Sequence, residues 1–166
     1  MQGEAGGTGK THELAASLTA RFGERVLGVD EFPGLLGRVR FDPAIATELF
    51  RMFRDDLGFV HLTMVGATDW VDHREVFYAL WSDVDKVYVM LSANLSPDAP
   101  TIASAVPIWP SANAHEREAW DLVGVRFEGH PDLRRIFMPE GYAYHPLLRS
   151  FKIHEPEDLE VKVRSD

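Results

Sequence analysis

Three stretches rich in β-branched and aromatic residues, 59–65, 75–82 and 86–93, follow one another with only short breaks between them, which include Asp69 to Arg74 and Asp83 to Asp85. A parallel connection needs a crossover of a dozen or more residues, so these stretches predict three antiparallel strands joined by hairpins. Everything upstream has to supply what covers such a sheet.

Thr11 is placed as an N-cap, Leu14, Ala15, Leu18 and Phe22 recur at helical spacing, and Gly23 can end the helix. Val26 to Asp30 then reads as a strand, Phe32 to Gly34 as a turn, and Leu35 to Phe41 as a second strand forming a hairpin with it. In that strand Leu35, Val39 and Phe41 share one face and Leu36, Arg38 and Arg40 the other. Asp42 before Pro43 is a helix start, followed by an apolar stripe of Ile45, Leu49, Met52, Phe53 and Leu57 and a stop at Gly58. A methionine and phenylalanine stripe at this spacing is core, not a cofactor box.

The order predicts an α+β fold: a two-layer mixed sheet of about five strands with two covering helices, followed by an extended irregular C-terminal tail with short helices. Residues 1–10 read as a disordered lead, 11–108 as the core domain, 109–154 as an interface motif and extended tail, and 155–166 as a solvated end. With 166 residues the chain suits one domain that buries roughly 70% of its unfolded surface.

The 17 basic and 26 acidic residues leave a formal charge of −9, which opposes nucleic-acid binding. No cysteine is present, which excludes disulfides, thiolate metal sites and cysteine nucleophiles and fits a reducing compartment. The longest apolar runs, 76–81 and 87–91, fall far short of the roughly 20 residues of a membrane span. The N-terminus lacks a signal-peptide pattern, so a cytoplasmic location is expected.

Several chemical motifs fail on spacing. Gly6 to Thr11 imitates a phosphate-binding loop, but Glu4 stands where its first glycine belongs and no strand precedes it. His115-Glu116 begins a zinc-hydrolase helix whose second histidine position is Ala119. Asp69, Asp72, His73 and Glu75 match no calcium loop, and Ser104 and Ser111 lack a nucleophile turn. No catalytic, cofactor-binding or metal site is assigned, and the isolated chain is expected to be non-catalytic. A free-standing small-molecule enzyme using the acidic loop or the glycine-rich start is the rival from another class.

Charge is densest from Pro110 to Phe137. Asn113 with Glu116 three residues on suggests a weak capping box, and Gly124 is placed to end the helix. Within it Arg117 and Asp121 sit one turn apart, an exposed pair worth only about 0.3–0.5 kcal/mol. Trp120, Leu122 and Val123 anchor this helix, and Val125 and Phe127 continue as a short extended segment. Gly129, His130 and Pro131 turn the chain, and Asp132 caps an expected second short helix that holds Arg134 and Arg135 and ends at Met138. Arginine and aromatics side by side are what interface centres prefer.

Trp109, Ala112, Asn113, Glu116 to Glu118, Asp121, Gly124, Phe127 and Gly129 to Ile136 form a run that resembles the 30 kDa subunit of proton-pumping NADH:quinone oxidoreductase, respiratory complex I. The order of elements over 11–108 extends the resemblance. It implies a cofactor-free structural subunit of the hydrophilic arm, on the cytoplasmic side of the membrane as a peripheral part of the complex. The implied partners are the quinone-site (49 kDa) subunit and the terminal iron–sulfur cluster subunit, with NADH, FMN, iron–sulfur clusters and quinone held elsewhere in the complex. The implied subunit-interface residues are Glu116, Arg117, Glu118, Trp120, Asp121 and Gly124 on the helix, then His130, Pro131, Asp132, Arg134 and Arg135. The family usually has Trp at Ala114 and a different run from Tyr144 to Lys152. Those departures leave room for a related energy-converting [NiFe] hydrogenase or a ferredoxin- or F420-driven complex with a similar subunit.

Overall fold

The computed structural model describes residues 7–32 and 36–152. Helix α1, Gly7–Phe22, begins earlier than the expected cap at Thr11. Thr11 instead lies inside the helix, buried, with its hydroxyl donating to the Leu36 carbonyl. Tertiary contacts override the local cap signal: Leu14 and Leu18 are buried, and Lys10 pairs with Asp85 at 2.8 Å. Residues 7–10 of the expected disordered lead are therefore helical, and residues 1–6 lie outside the described residues.

Strands β1 (Val26–Asp30) and β2 (Arg38–Phe41) form the antiparallel hairpin that the alternation predicted, with Val29 opposite Val39 and Asp30 opposite Arg38. Residues 33–35, which hold the expected turn and the first residue of the second strand, lie outside the described residues. Leu36 and Gly37 already bond to the next strand in the sheet, through Leu36 N–H to the Tyr88 carbonyl at 2.7 Å and Met90 N–H to the Gly37 carbonyl at 3.0 Å.

Asp42 caps as expected, accepting the Ala44 N–H at 2.9 Å. The helix it caps is not uniform. A 3-10 turn (Pro43–Ile45) leads into α2 (Ala46–Arg51), which ends in a widened π turn (Met52–Asp56) before Gly58 at φ +72°. The changing pitch lets Leu49, Phe50, Met52 and Phe53 all be buried on the sheet, so Phe50 joins the predicted stripe. Its ring lies 4.7 Å from Tyr78, 5.7 Å from Trp109 and 6.0 Å from Phe41, tying helix, sheet and the following segment together.

Strands β3 (His61–Asp69), β4 (Arg74–Ser82) and β5 (Val87–Leu95) pair antiparallel through two hairpins, giving a five-stranded sheet in the order β1-β2-β5-β4-β3. The β2–β5 pair is parallel. Val76, Tyr78 and Leu80 on β4 and Val89, Leu91, Ala93 and Leu95 on β5 are buried toward the helices. The opposite face presents Met64, Tyr88 and the partly buried Trp81, whose ring meets Tyr88 at 4.6 Å.

The buried cluster continues past residue 108 without a break. Trp109 donates its indole N–H to the Phe59 carbonyl at 3.1 Å, and Ser111 its hydroxyl to the Leu62 carbonyl at 3.1 Å. These bonds start α3 (Ala112–Val123), which connects β6 (Thr101–Ala103) to the parallel strand β7 (Arg126–Glu128). Ala112, Ala119, Val123, Val125 and Phe127 belong to the same core as α2. The second short helix expected around Arg134 and Arg135 does not form; this part is a series of turns.

Because Phe50 is fully buried among three aromatic rings, Phe50→Ala is expected to cost about 3–5 kcal/mol of stability, read from the urea midpoint of the isolated chain.

Candidate subunit interface

Helix α3 places charge in two opposite ways. It buries two carboxylates, each with no exposed surface: Glu116 on the face toward the core and Asp121 on the opposite face, under the segment that follows β7. Glu116 is not the third residue of a capping box. The helix starts from Ser111 with no side-chain cap, Asn113 lies within the helix, and Glu116 turns inward to accept the Ser104 hydroxyl and the Ala105 N–H, both at 2.6 Å. No cation pairs with it among the described residues, so burial pushes its carboxyl up to about 7 against the lowering effect of those two donors. The buried Tyr78 hydroxyl lacks a hydrogen-bond partner among the described residues, and burial, then the Glu116 charge, raises its pKa.

Asp121 is satisfied differently. One oxygen pairs with Arg135 at 2.5 Å, and the other accepts the N–H groups of Ile136, Phe137 and Met138 at 2.9, 2.7 and 3.0 Å. Burial acts to raise this carboxyl, but the three N–H bonds and the guanidinium together hold it below the ordinary carboxylate value. Arg135 is itself nearly buried. It also reaches the Tyr142 carbonyl, and its guanidinium lies 5.3 Å from the Trp120 ring and 5.7 Å from the Tyr142 ring.

Arg117 does not pair with Asp121, the partner suggested by their spacing. Its guanidinium donates to the carbonyls of Arg134 and Arg135 at 3.0 and 3.2 Å. His130 accepts the Asp132 N–H on Nδ1, which leaves the proton on Nε2 to donate to the Asn113 carbonyl at 3.2 Å. Gly124 is required twice, by φ +79° at the helix end and by His145, whose ring would lie 2.8 Å from any added Cβ. The His145 ring then donates from Nδ1 to the Asp121 carbonyl at 2.9 Å.

The expected interface set thus divides. Glu116 and Asp121 cannot present their carboxylates to a neighbour, because both are consumed inside the chain; Arg135 is likewise turned inward. Glu118, Pro131, Asp132 and Arg134 are exposed, and Arg117, Trp120, Gly124 and His130 are partly so. The sequence reading missed Ser104, the 136–138 amides, Tyr142 and His145. Backbone donors carry no side-chain signal, and the other partners lie far along the chain.

The acidic loop does not converge on one point. Asp69 accepts the N–H groups of Val71 and Arg149, Asp72 lies beside His73, and Glu75 holds Arg38 and the Trp70 indole. No group of three or more His, Asp or Glu side chains is placed for a metal ion among the described residues.

The two buried carboxylates differ in what their loss would do to stability. Asp121→Ala strands Arg135 and three amides and is expected to cost about 3–5 kcal/mol in urea unfolding. Glu116 has a folded-state value near 7, above the 4.5 of an ordinary glutamate, so its stabilisation is complete below pH 4.5 and is lost as pH rises through 7. Glu116→Gln is therefore expected to gain on the wild-type chain by up to about 3 kcal/mol between those limits. A stability difference that stays constant with pH would refute the assignment.

Comparison with known proteins supplies a family. The family described as the respiratory-chain NADH dehydrogenase 30 kDa subunit matches residues 39–157. An NADH-quinone oxidoreductase subunit of this kind from Roseiflexus castenholzii is 35% identical over 149 residues, covering 87% of this chain and 85% of that protein. Its counterpart from Geotalea uraniireducens is 34% identical over 159 residues, covering 93% and 96%. Among solved structures, a trypsin-resistant fragment of Nqo5 superposes with a TM-score of 0.63 at 24% identity, covering 75% of this chain and 99% of the fragment. A chain of an archaeal membrane-bound sulfane sulfur reductase gives 0.75 at 16% identity, covering 95% and 96%, and so shares the fold. This chain belongs to the 30 kDa subunit family of respiratory-chain NADH dehydrogenase.

Proposed function

We propose that the chain is a cofactor-free structural subunit of the hydrophilic arm of a proton-pumping NADH:quinone oxidoreductase, where it positions the quinone-site and terminal iron–sulfur subunits. The observation that carries this reading is the Asp121 clamp. It fixes an irregular segment rigidly to α3 while Glu118, Asp132 and Arg134 remain at the surface. A preordered surface loses little entropy on docking, which suits a scaffold.

The absence of cysteine supports placing the iron–sulfur clusters in other subunits. No helix among the described residues is long and apolar enough to cross a membrane. The proposed position within the complex, taken from the family, is peripheral and on the cytoplasmic side. The departures at Ala114 and from Tyr144 to Lys152 keep a second reading, the equivalent subunit of a related complex with another electron donor.

Affinity purification of the tagged chain from its own cells tests the assignment. The expected result is recovery with the quinone-site and iron–sulfur subunits. Glu118→Arg combined with Arg134→Glu should change isolated-chain stability by no more than about 1 kcal/mol, because Glu118 lacks an ion-pair partner among the described residues and Arg134 has only the exposed Asp132. Recovery of the complex should nevertheless fall. Undiminished recovery with both charges reversed would count against this interface, and saturable micromolar binding of a nucleotide, metal or quinone to the isolated chain would favour a free-standing enzyme.

A further inference from the structure

The segment that Asp121 holds exposes two large apolar side chains. Ile136 is 41% and Phe137 57% exposed, although their own N–H groups are bound to a carboxylate with no exposed surface. The neighbouring Arg135 is fixed by the same carboxylate and by the Trp120 and Tyr142 rings, and Arg117 holds the carbonyls of Arg134 and Arg135. A loop whose consecutive amides and Arg135 are bound inward, yet whose apolar side chains are left about half exposed, gains only part of what full burial of those side chains would give. Interface centres are built from rigidly presented aromatic and aliphatic groups of this kind.

We infer that Ile136 and Phe137 form an apolar anchor that inserts into a hydrophobic pocket on a neighbouring protein subunit. The inference rests on the proposed scaffold function and adds to it the residues that make the contact. Three features favour a protein subunit over a lipid surface or a second copy of this chain. The chain carries a formal charge of −9, and beside the anchor the exposed Arg134 is already paired with Asp132 while the exposed Glu140 stands unopposed in sequence, so an anionic membrane surface repels it. Two copies of this chain would bring the same net negative charge together. Membership of a family of multisubunit complexes supplies the neighbour.

Both side chains are only partly buried, so Ile136→Ser with Phe137→Ser should lower the thermal unfolding midpoint of the isolated chain by no more than a few degrees. Recovery of the tagged double variant with the complex should fall at least tenfold. In a second measurement, a photo-crosslinking phenylalanine analogue replaces Phe137 in the assembled complex, and the adduct is mapped by mass spectrometry. The expected adduct is a peptide of another subunit whose captured residues are apolar.

Undiminished recovery, an adduct with lipid or with a second copy of this chain, or the absence of any adduct in the assembled complex would each overturn the inference. If the double variant misfolds, the crosslink alone decides. Failure of the unaltered chain to co-purify with other subunits would overturn the scaffold function and this anchor together, and it is told apart because it occurs without any substitution.

Discussion

The Asp121 carboxylate is the interaction on which the irregular half of this chain depends. Leaving water is costly for a carboxylate, and the cost is recovered only when charge and hydrogen bonds replace the lost hydration. Here one guanidinium and three consecutive amides do so. Helix α3 is itself bound to the β3 side of the sheet through Trp109 and Ser111, so the clamp passes the order of the core outward to residues 135–145. Without it these turns would have neither a ladder nor a helix to fix their backbone.

Glu116 shows what happens to a carboxylate of the same helix without a cation. Two donors do not offset its burial, and the group carries its proton up to about pH 7. A neutral acid in the core stands as one more hydrogen-bonded polar group joining α3 to the segment after β6. Neither acid has exposed surface, but Glu116 lies deeper and lacks a cation, so its proton responds near neutral pH, whereas the amides and guanidinium around Asp121 hold it below the ordinary carboxylate value.

The sheet was legible because its information is local. Composition marked β4 and β5 to within one or two residues, and alternation placed Val39 and Phe41 inward. Helix α2 was legible for the same reason, although the 3-10 and π turns at its ends were not, since pitch adapts to packing around Phe50. Cap readings divided: Asp42, Gly58 and Gly124 held, while two N-cap readings failed. Thr11 and the Asn113–Glu116 pair carry the right residue types, but each has a tertiary partner that outweighs a cap worth about 1 kcal/mol. Strand β6 escaped notice because three residues beside prolines hold no periodicity. The interface set was read from charge density, and charge density could not separate carboxylates turned inward from those facing outward.

That separation matters for how the surface works. A cluster of exposed charges is adaptable and weak, because each side chain loses rotamer freedom when it pairs and water screens the pair. Around α3 the strongest charges have instead been withdrawn from the surface, and what they leave outside is shape: a fixed turn with Ile136 and Phe137 outward and only weakly paired charges such as Arg134 around it. In the proposed interface, apolar contact supplies affinity while the residual charges discriminate among partners. The buried charges would act on that binding indirectly, through the geometry they impose on Ile136 and Phe137. On the proposed anchor, substituting Asp121 and substituting Phe137 would weaken the same contact by different routes, the first by loosening the support and the second by removing the contact itself.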